Sequence, residues 1–252
     1  MFDPRVAAAS LSGAADAVWA HRAAPYVGCA FLGGVSLDDP TREAARALVA
    51  RDRSEFLPAD PVAFVESQLE AVADCPIRPA VNVRTTTLAP LRDAARACAE
   101  HDAAIEVNAH CRQAEMCDAG AGETLLRDTD RLCEQVAAAS EFATTSVKVR
   151  AEVAGVELPE LAVTLEDAGA EWLHVDAMDS ESVIRDVREA CDLFLVANNG
   201  VRDRETATEY LAYGADAVSV GRPSDDPVVL RRVREAVDGW FAGRDHDREV
   251  RA

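Results

Sequence analysis

Asn108-Ala109-His110-Cys111-Arg112-Gln113 follows directly on an apolar run and brings a thiol, an imidazole and a guanidinium within three residues. A loop cysteine between His110 and Arg112 is expected to have a lowered pKa, which suits it to give or take a proton. Lys148 is the only lysine in the chain and lies inside the apolar stretch from Thr145 to Arg150. A solitary ammonium there can face an anion, form a Schiff base with a carbonyl, or close an internal ion pair. Asn198-Asn199-Gly200 and Gly221-Arg222-Pro223 combine glycines, which let a ligand approach the backbone, with an arginine that can grip an anion through two bonds. No metal is expected, because the seven cysteines show no CxxC or Cys/His spacing and His110-Cys111 lacks further ligands.

The elements that must position these residues alternate in type. Short apolar runs at Val6 to Ser10, Tyr26 to Phe31, Ala80 to Arg84, Ala104 to Asn108, Ser146 to Arg150, Trp172 to Asp176, Phe194 to Asn198 and Ala217 to Gly221 read as strands. Helical periods follow at Leu88 to Glu100, Glu123 to Ser140, Leu158 to Ala168, Ser180 to Ala190, Arg204 to Tyr213 and Pro227 to Trp240. A further helical stretch, Thr41 to Arg51 and Pro61 to Ala73, lengthens the second connection. Asp118 to Gly122 reads as a flexible loop. The pattern predicts a single-domain α/β protein, a (β/α)8 barrel over residues 1–243 with a frayed tail at 244–252; an open doubly wound sheet is the second arrangement.

Within the strands, Val81/Val83, Ile105/Val107, Val147/Val149, Leu173/Val175 and Val218/Val220 form one aliphatic face. The alternate positions are Asn82/Arg84, Glu106/Asn108, Lys148/Arg150, His174/Asp176 and Ser219, which a barrel turns inward, the later of each pair nearer the C-terminal mouth. So much interior polarity needs mutual pairing, such as Glu106 with Lys148 or Asp176 with Arg150, or a ligand.

With 45 acidic against 26 basic residues the net charge is −19 over 252 residues, spread through the chain. This halophile-like composition predicts an acidic surface that repels DNA and RNA backbones. No long uncharged apolar window or signal peptide is visible, so a cytoplasmic protein without membrane contact is expected.

Taken in order, Asn108-Ala-His-Cys111, Gly120-Ala-Gly-Glu-Thr-Leu-Leu126, Val147-Lys-Val-Arg150, Ala168-Gly-Ala170, Asn199-Gly200 and Gly214-Ala-Asp-Ala-Val-Ser-Val-Gly-Arg222 resemble the successive motifs of the tRNA-dihydrouridine synthases, FMN-dependent barrels related to the dihydroorotate dehydrogenases, and the chain looks closest to an archaeal branch. The loop Ala9-Ser-Leu-Ser-Gly-Ala-Ala-Asp16 is similar to that family's first flavin-contacting loop, with Ser10-Leu11 in place of Pro-Met. By this resemblance Ser10, Leu11, Asn82, Lys148, His174 and Asp176 would contact FMN, and Asn199, Gly200, Gly221 and Arg222 would hold its phosphate. Asn108 and Cys111 would be catalytic, Cys111 as the proton donor, with His110, Arg112 and Arg150 toward the substrate. The implied reaction exchanges a hydride with the C5–C6 bond of a pyrimidine, free or in RNA, with NAD(P)H as an electron donor and homo-oligomers as a possible assembly. Four positions depart from the family pattern: Asn82 stands for glutamine, His110 for glycine, Arg112 for proline and Asp176 for histidine. The helical tRNA-binding domain that follows such a barrel in that family is not expected in the residues after Arg222. Two other readings fit the residues: a lyase or aldolase using Lys148 on a phosphorylated carbonyl compound, and a barrel that binds without catalysis.

Overall fold

Eight parallel strands close on themselves in sequence order in the computed structural model, which describes residues 1–251. The strands are β1 (Val6–Ala8), β2 (Cys29–Ser36), β3 (Arg78–Arg84), β4 (Ala104–Asn108), β5 (Thr145–Arg150), β6 (Trp172–Asp176), β7 (Phe194–Asn198) and β8 (Ala217–Val220). The helices are α1 (Ala17–Ala23), α2 (Asp39–Val49), α3 (Pro61–Ala71), α4 (Leu88–Glu100), α5 (Ala114–Asp118), α6 (Glu123–Leu126), α7 (Thr129–Ser140), α8 (Leu158–Asp167), α9 (Val183–Ala190), α10 (Arg204–Ala212) and α11 (Pro227–Arg251). This is the (β/α)8 barrel, and β8 pairing with β1 excludes the open sheet.

Part of the acidic composition is local architecture. Asp16, Asp38, Asp60, Asp128 and Asp203 each accept a backbone N–H at a helix N-cap, and Asp203 with Thr206 forms a capping box. Asp128 splits the single helix expected from Glu123 to Ser140 into α6 and α7. Helix α11 passes through the segment expected to fray, so no end of secondary structure marks residue 243.

The barrel interior has two halves. Toward the N-terminal ends of the strands, Phe2, Ala7, Phe31, Ala80, Ala104, Trp172, Phe194 and Ala217 pack as an apolar plug, with Phe2 edge-on to Trp172 at 5.5 Å and to Phe194 at 5.3 Å. Above it the register aligns Asn82 with Glu106 and Ser146, then Asn108 with Lys148 and His174, and Arg150 with Asp176 and Asn198. The inward polar set therefore faces inward as the alternation implied. Strand β2 runs on to Ser36 instead of ending at Phe31, with a register shift between Gly33 and Val35. A Cβ on Gly34 would lie 2.6 Å from Asn82 Oδ1, so only glycine leaves room there for the polar layer. Among the described residues no helix is long and apolar enough to cross a membrane.

Candidate active site

Fully buried Glu106 is the hub of the polar layer. Asn82 Nδ2 donates to its Oε1 at 2.7 Å; Ser146 Oγ donates to Oε2 at 3.1 Å, and His174 Nδ1 bonds Oε2 at 2.7 Å. Burial raises the Glu106 pKa, but His174, Lys148 and Asn82 outweigh it and hold the carboxyl below its usual range. An ionised Glu106 can only accept, so His174 Nδ1 carries the proton and Nε2 accepts from Ser219 Oγ at 2.8 Å. Burial and the Lys148 charge keep this imidazole below its ordinary pKa despite Glu106, hence neutral.

Lys148 stands in the same layer, 2% exposed, with no hydrogen bond or ion pair to any other described residue. Burial lowers its pKa; Glu106, Asp176 and Cys111 pull the other way. The expected Glu106–Lys148 bond is replaced by Glu106–His174, and Arg150 pairs with Glu123 at 3.4 Å instead of Asp176. The ammonium borders a cavity of about 490 Å³ walled by Ser10, Leu11, His110, Asp176, Asn199, Gly200, Gly221 and Arg222. Gly200 has φ +67° and Asn199 φ +96°, and nothing lies within 4 Å of a Cβ built on Gly221. Asn199 Nδ2 donates to Asp176 Oδ1 at 2.8 Å, and Tyr210 pins the Asn199 carbonyl at 3.0 Å. Seven of the residues expected at a cofactor thus line one cavity with Lys148. Asn82 and His174, expected there too, do not: both are 0% exposed and spent on Glu106, which makes them support for the wall.

A second cavity of about 780 Å³ shares Ser10, His110, Asp176, Asn199 and Arg222 with the first and adds Asn108, Cys111, Arg112 and Arg150. Asn108 is held by donating to Asn82 Oδ1 at 2.9 Å. Its own Oδ1 accepts the backbone N–H groups of His110 (3.3 Å) and Cys111 (3.2 Å), which shapes the turn carrying the thiol. Gly122, at φ +57°, lets Glu123 N reach Cys111 O at 2.8 Å, where a Cβ would sit 2.2 Å from that oxygen. The Asp118–Gly122 stretch read as flexible is therefore the clamp behind Cys111.

The expected lowering of the Cys111 pKa is overturned. The thiol is 5% exposed, packs with Ala44, Ala45, Leu48 and Met116, and donates to Gln113 Oε1. Burial pushes its pKa up, against the nearby Arg84 charge. His110 turns its Nδ1 to Asn108 Oδ1 at 3.1 Å and not to the thiol; burial and the surrounding cations keep it neutral, and Arg112 is exposed. A protonated thiol is a general acid in waiting, not a nucleophile.

Two sets of partners escaped the sequence. Arg84 lies under the mouth, 2.6 Å from Glu55 with both side chains 2% exposed, and donates to Ser12 Oγ at 2.7 Å. Asp38 accepts from Thr41, Thr85, Thr86 and Thr87, tying the loops after β2 and β3 together. Inward alternation pointed to Arg84; nothing local marked Glu55 or Asp38.

The family model for dihydrouridine synthase matches residues 54–250. An uncharacterized protein of Methanocaldococcus jannaschii is 27% identical over 233 residues, covering 87% of this chain and 89% of the relative. Among solved structures, dihydroorotate dehydrogenase from Eimeria tenella in complex with ferulenol superposes with a TM-score of 0.69 at 16% identity, over 95% of this chain and 82% of that one. Morphinone reductase in complex with tetrahydroNAD gives 0.63 at 15% identity, over 92% and 87%. At these identities both speak for the barrel alone.

Proposed function

Since the chain belongs to the dihydrouridine synthase family, we propose that it is an FMN-dependent oxidoreductase that transfers a hydride to or from the C5–C6 bond of a pyrimidine. The observation that carries this reading is Lys148: a buried ammonium without a partner in the described chain, bordering a cavity, is costly unless an anionic or electron-rich group comes to face it. The residues fit a flavin mononucleotide. Lys148 would stabilise negative charge at the edge of the isoalloxazine ring, Ser10 and Leu11 would pack beside it, and Gly200, Gly221 and Arg222 would receive the phosphate.

Bound FMN would supply hydride exchange at its N5. The chain supplies the proton and the positioning. In the reducing direction Cys111 Sγ gives its proton to the pyrimidine carbon that does not receive the hydride; in the oxidising direction the thiolate takes it back. A raised thiol pKa keeps that proton in place at neutral pH. Asn108 holds the turn at the height of Lys148, and the Glu106–His174–Ser219 chain keeps the floor rigid. The polar layer thus orients groups without being consumed.

The test is a half-reaction. FMN-loaded protein, reduced without oxygen, should be reoxidised by uridine-type compounds bearing a C5–C6 double bond, and Cys111→Ala should slow this step. Reoxidation by no pyrimidine, nucleotide or RNA would remove the proposal. The lowered pKa of Lys148 also favours a second reading, a Schiff base with a carbonyl compound. Borohydride trapping of a substrate on Lys148 would replace the flavin reading.

A further inference from the structure

The wider cavity runs against the charge of the chain. In a protein of net charge −19, Arg51, Arg53, Arg84, Arg112, Arg150 and Arg222 all reach its wall. Two of these are answered: Arg84 by Glu55, and Arg51 by Glu115. Arg150 is not. Its side chain is 9% exposed, Glu123 approaches it only to 3.4 Å, and the other oxygen of that carboxylate is held by Arg127 at 2.5 Å. Arg150 Nε is buried without any acceptor. Arg53 and Arg112 take part in no ion pair among the described residues. Of the acids on this wall, Glu115 is held by Arg51, which leaves Asp176 and Asp179. One partly desolvated guanidinium and two exposed ones, besides the exposed Arg222 that also lines the first cavity, therefore share a concave wall with a surplus of positive charge.

A surplus of this kind is compensated by an anionic ligand. We propose that the molecule occupying this cavity is a small pyrimidine that carries its own phosphate monoester, gripped by Arg53, Arg112 and Arg150. Its ring lies toward the His110–Cys111 turn, whose residues line the same space. A phosphate monoester, with up to two charges and three acceptor oxygens, matches several guanidinium groups better than a carboxylate does. A longer polyanion fits poorly, because the phosphates beyond the cavity would meet a surface carrying most of the chain's excess carboxylates. The choice of reacting bond rests on the flavin reading above; the anion site stands on the arginines alone.

Calorimetric titration of the purified protein with uridine 5′-monophosphate, uridine, orotate, inorganic phosphate and a uridylate 12-mer tests the site. The expected result is that the monophosphate binds about tenfold or more tightly than uridine. Arg53→Gln and Arg112→Gln, both at exposed positions, should each weaken the monophosphate several-fold and leave uridine unchanged. Equal affinity for uridine and its monophosphate, tighter binding of orotate or of the 12-mer, or unaltered monophosphate affinity in both variants would each overturn the proposal. Flavin absorbance of the same samples separates the two claims: yellow protein indifferent to the phosphate loses only the anion site. Colourless protein that still holds the monophosphate through these arginines loses only the flavin.

Discussion

The two halves of the barrel interior are built from the same strands and have opposite chemistry. The lower half, around Phe2, Phe31, Trp172 and Phe194, is apolar, closed and aromatic. The upper half, further along the strands, holds Asn82, Glu106, Asn108, Lys148 and His174, all buried. They meet where the Phe31 ring lies 4.7 Å from the His174 ring. Burying apolar rings stabilises a fold; burying an unpartnered ammonium does not. The contrast teaches that the plug holds the barrel while the upper layer is kept for what it binds, and each half should respond to substitution in its own currency.

The largest separation is expected from Cys111→Ala, which should lower pyrimidine turnover by about 10²–10⁴-fold. The same variant should shift the urea midpoint little, since alanine fits among Ala44, Ala45, Leu48 and Met116; a comparable loss of stability would mean that the thiol is structural. Trp172→Ala is the mirror experiment: a cavity in the plug should cost about 3–5 kcal/mol in denaturant unfolding, with FMN affinity of the folded protein retained. If FMN binding fails in protein that remains folded, the halves are not separable. Lys148→Met comes next. Without FMN it should be as stable as wild type or more so by about 1 kcal/mol, because a desolvated charge is replaced by an apolar chain of similar length, while FMN affinity should fall about tenfold.

The smallest effect is a pH dependence. The folded-state pKa of His174 lies below its unfolded value near 6.5, so below that pH the unfolded chain binds the extra proton first and stability falls as pH drops. The slope should approach about 1.4 kcal/mol per pH unit until the folded imidazole is protonated as well. Comparing urea midpoints of wild type and His174→Gln between pH 7.5 and 5 checks this; equal slopes would show that His174 does not sense the layer as described.

Much of this contrast was legible before folding. The bounds read for β4, β6 and β7 coincide with the structure, because each is a five-residue inward–outward alternation closed by a polar residue at the mouth. The end of β2 was not legible: the apolar run reads as a strand only to Phe31, and the packing of Asn82 and Arg84 against Gly34 shows why the strand runs on through the glycines. Helix α1 was missed as well, being only about two turns long after Asp16. In the site, residue types and faces were visible, but partners were not. Glu106 chose His174 over Lys148, and Cys111 became a buried thiol, through contacts with Leu48 and Met116 that no spacing along the chain encodes. Pairing and desolvation are tertiary, and so are the pKa values that follow from them.

The visible absorption spectrum of the purified protein tests the central claim most directly. If Lys148 and the Gly200–Gly221–Arg222 cavity hold a flavin, wild type is yellow, releases FMN on denaturation in equimolar amount, and recovers its spectrum when FMN is added back, whereas Lys148→Met retains less. Colourless wild-type protein that fails to take up added FMN would contradict the account.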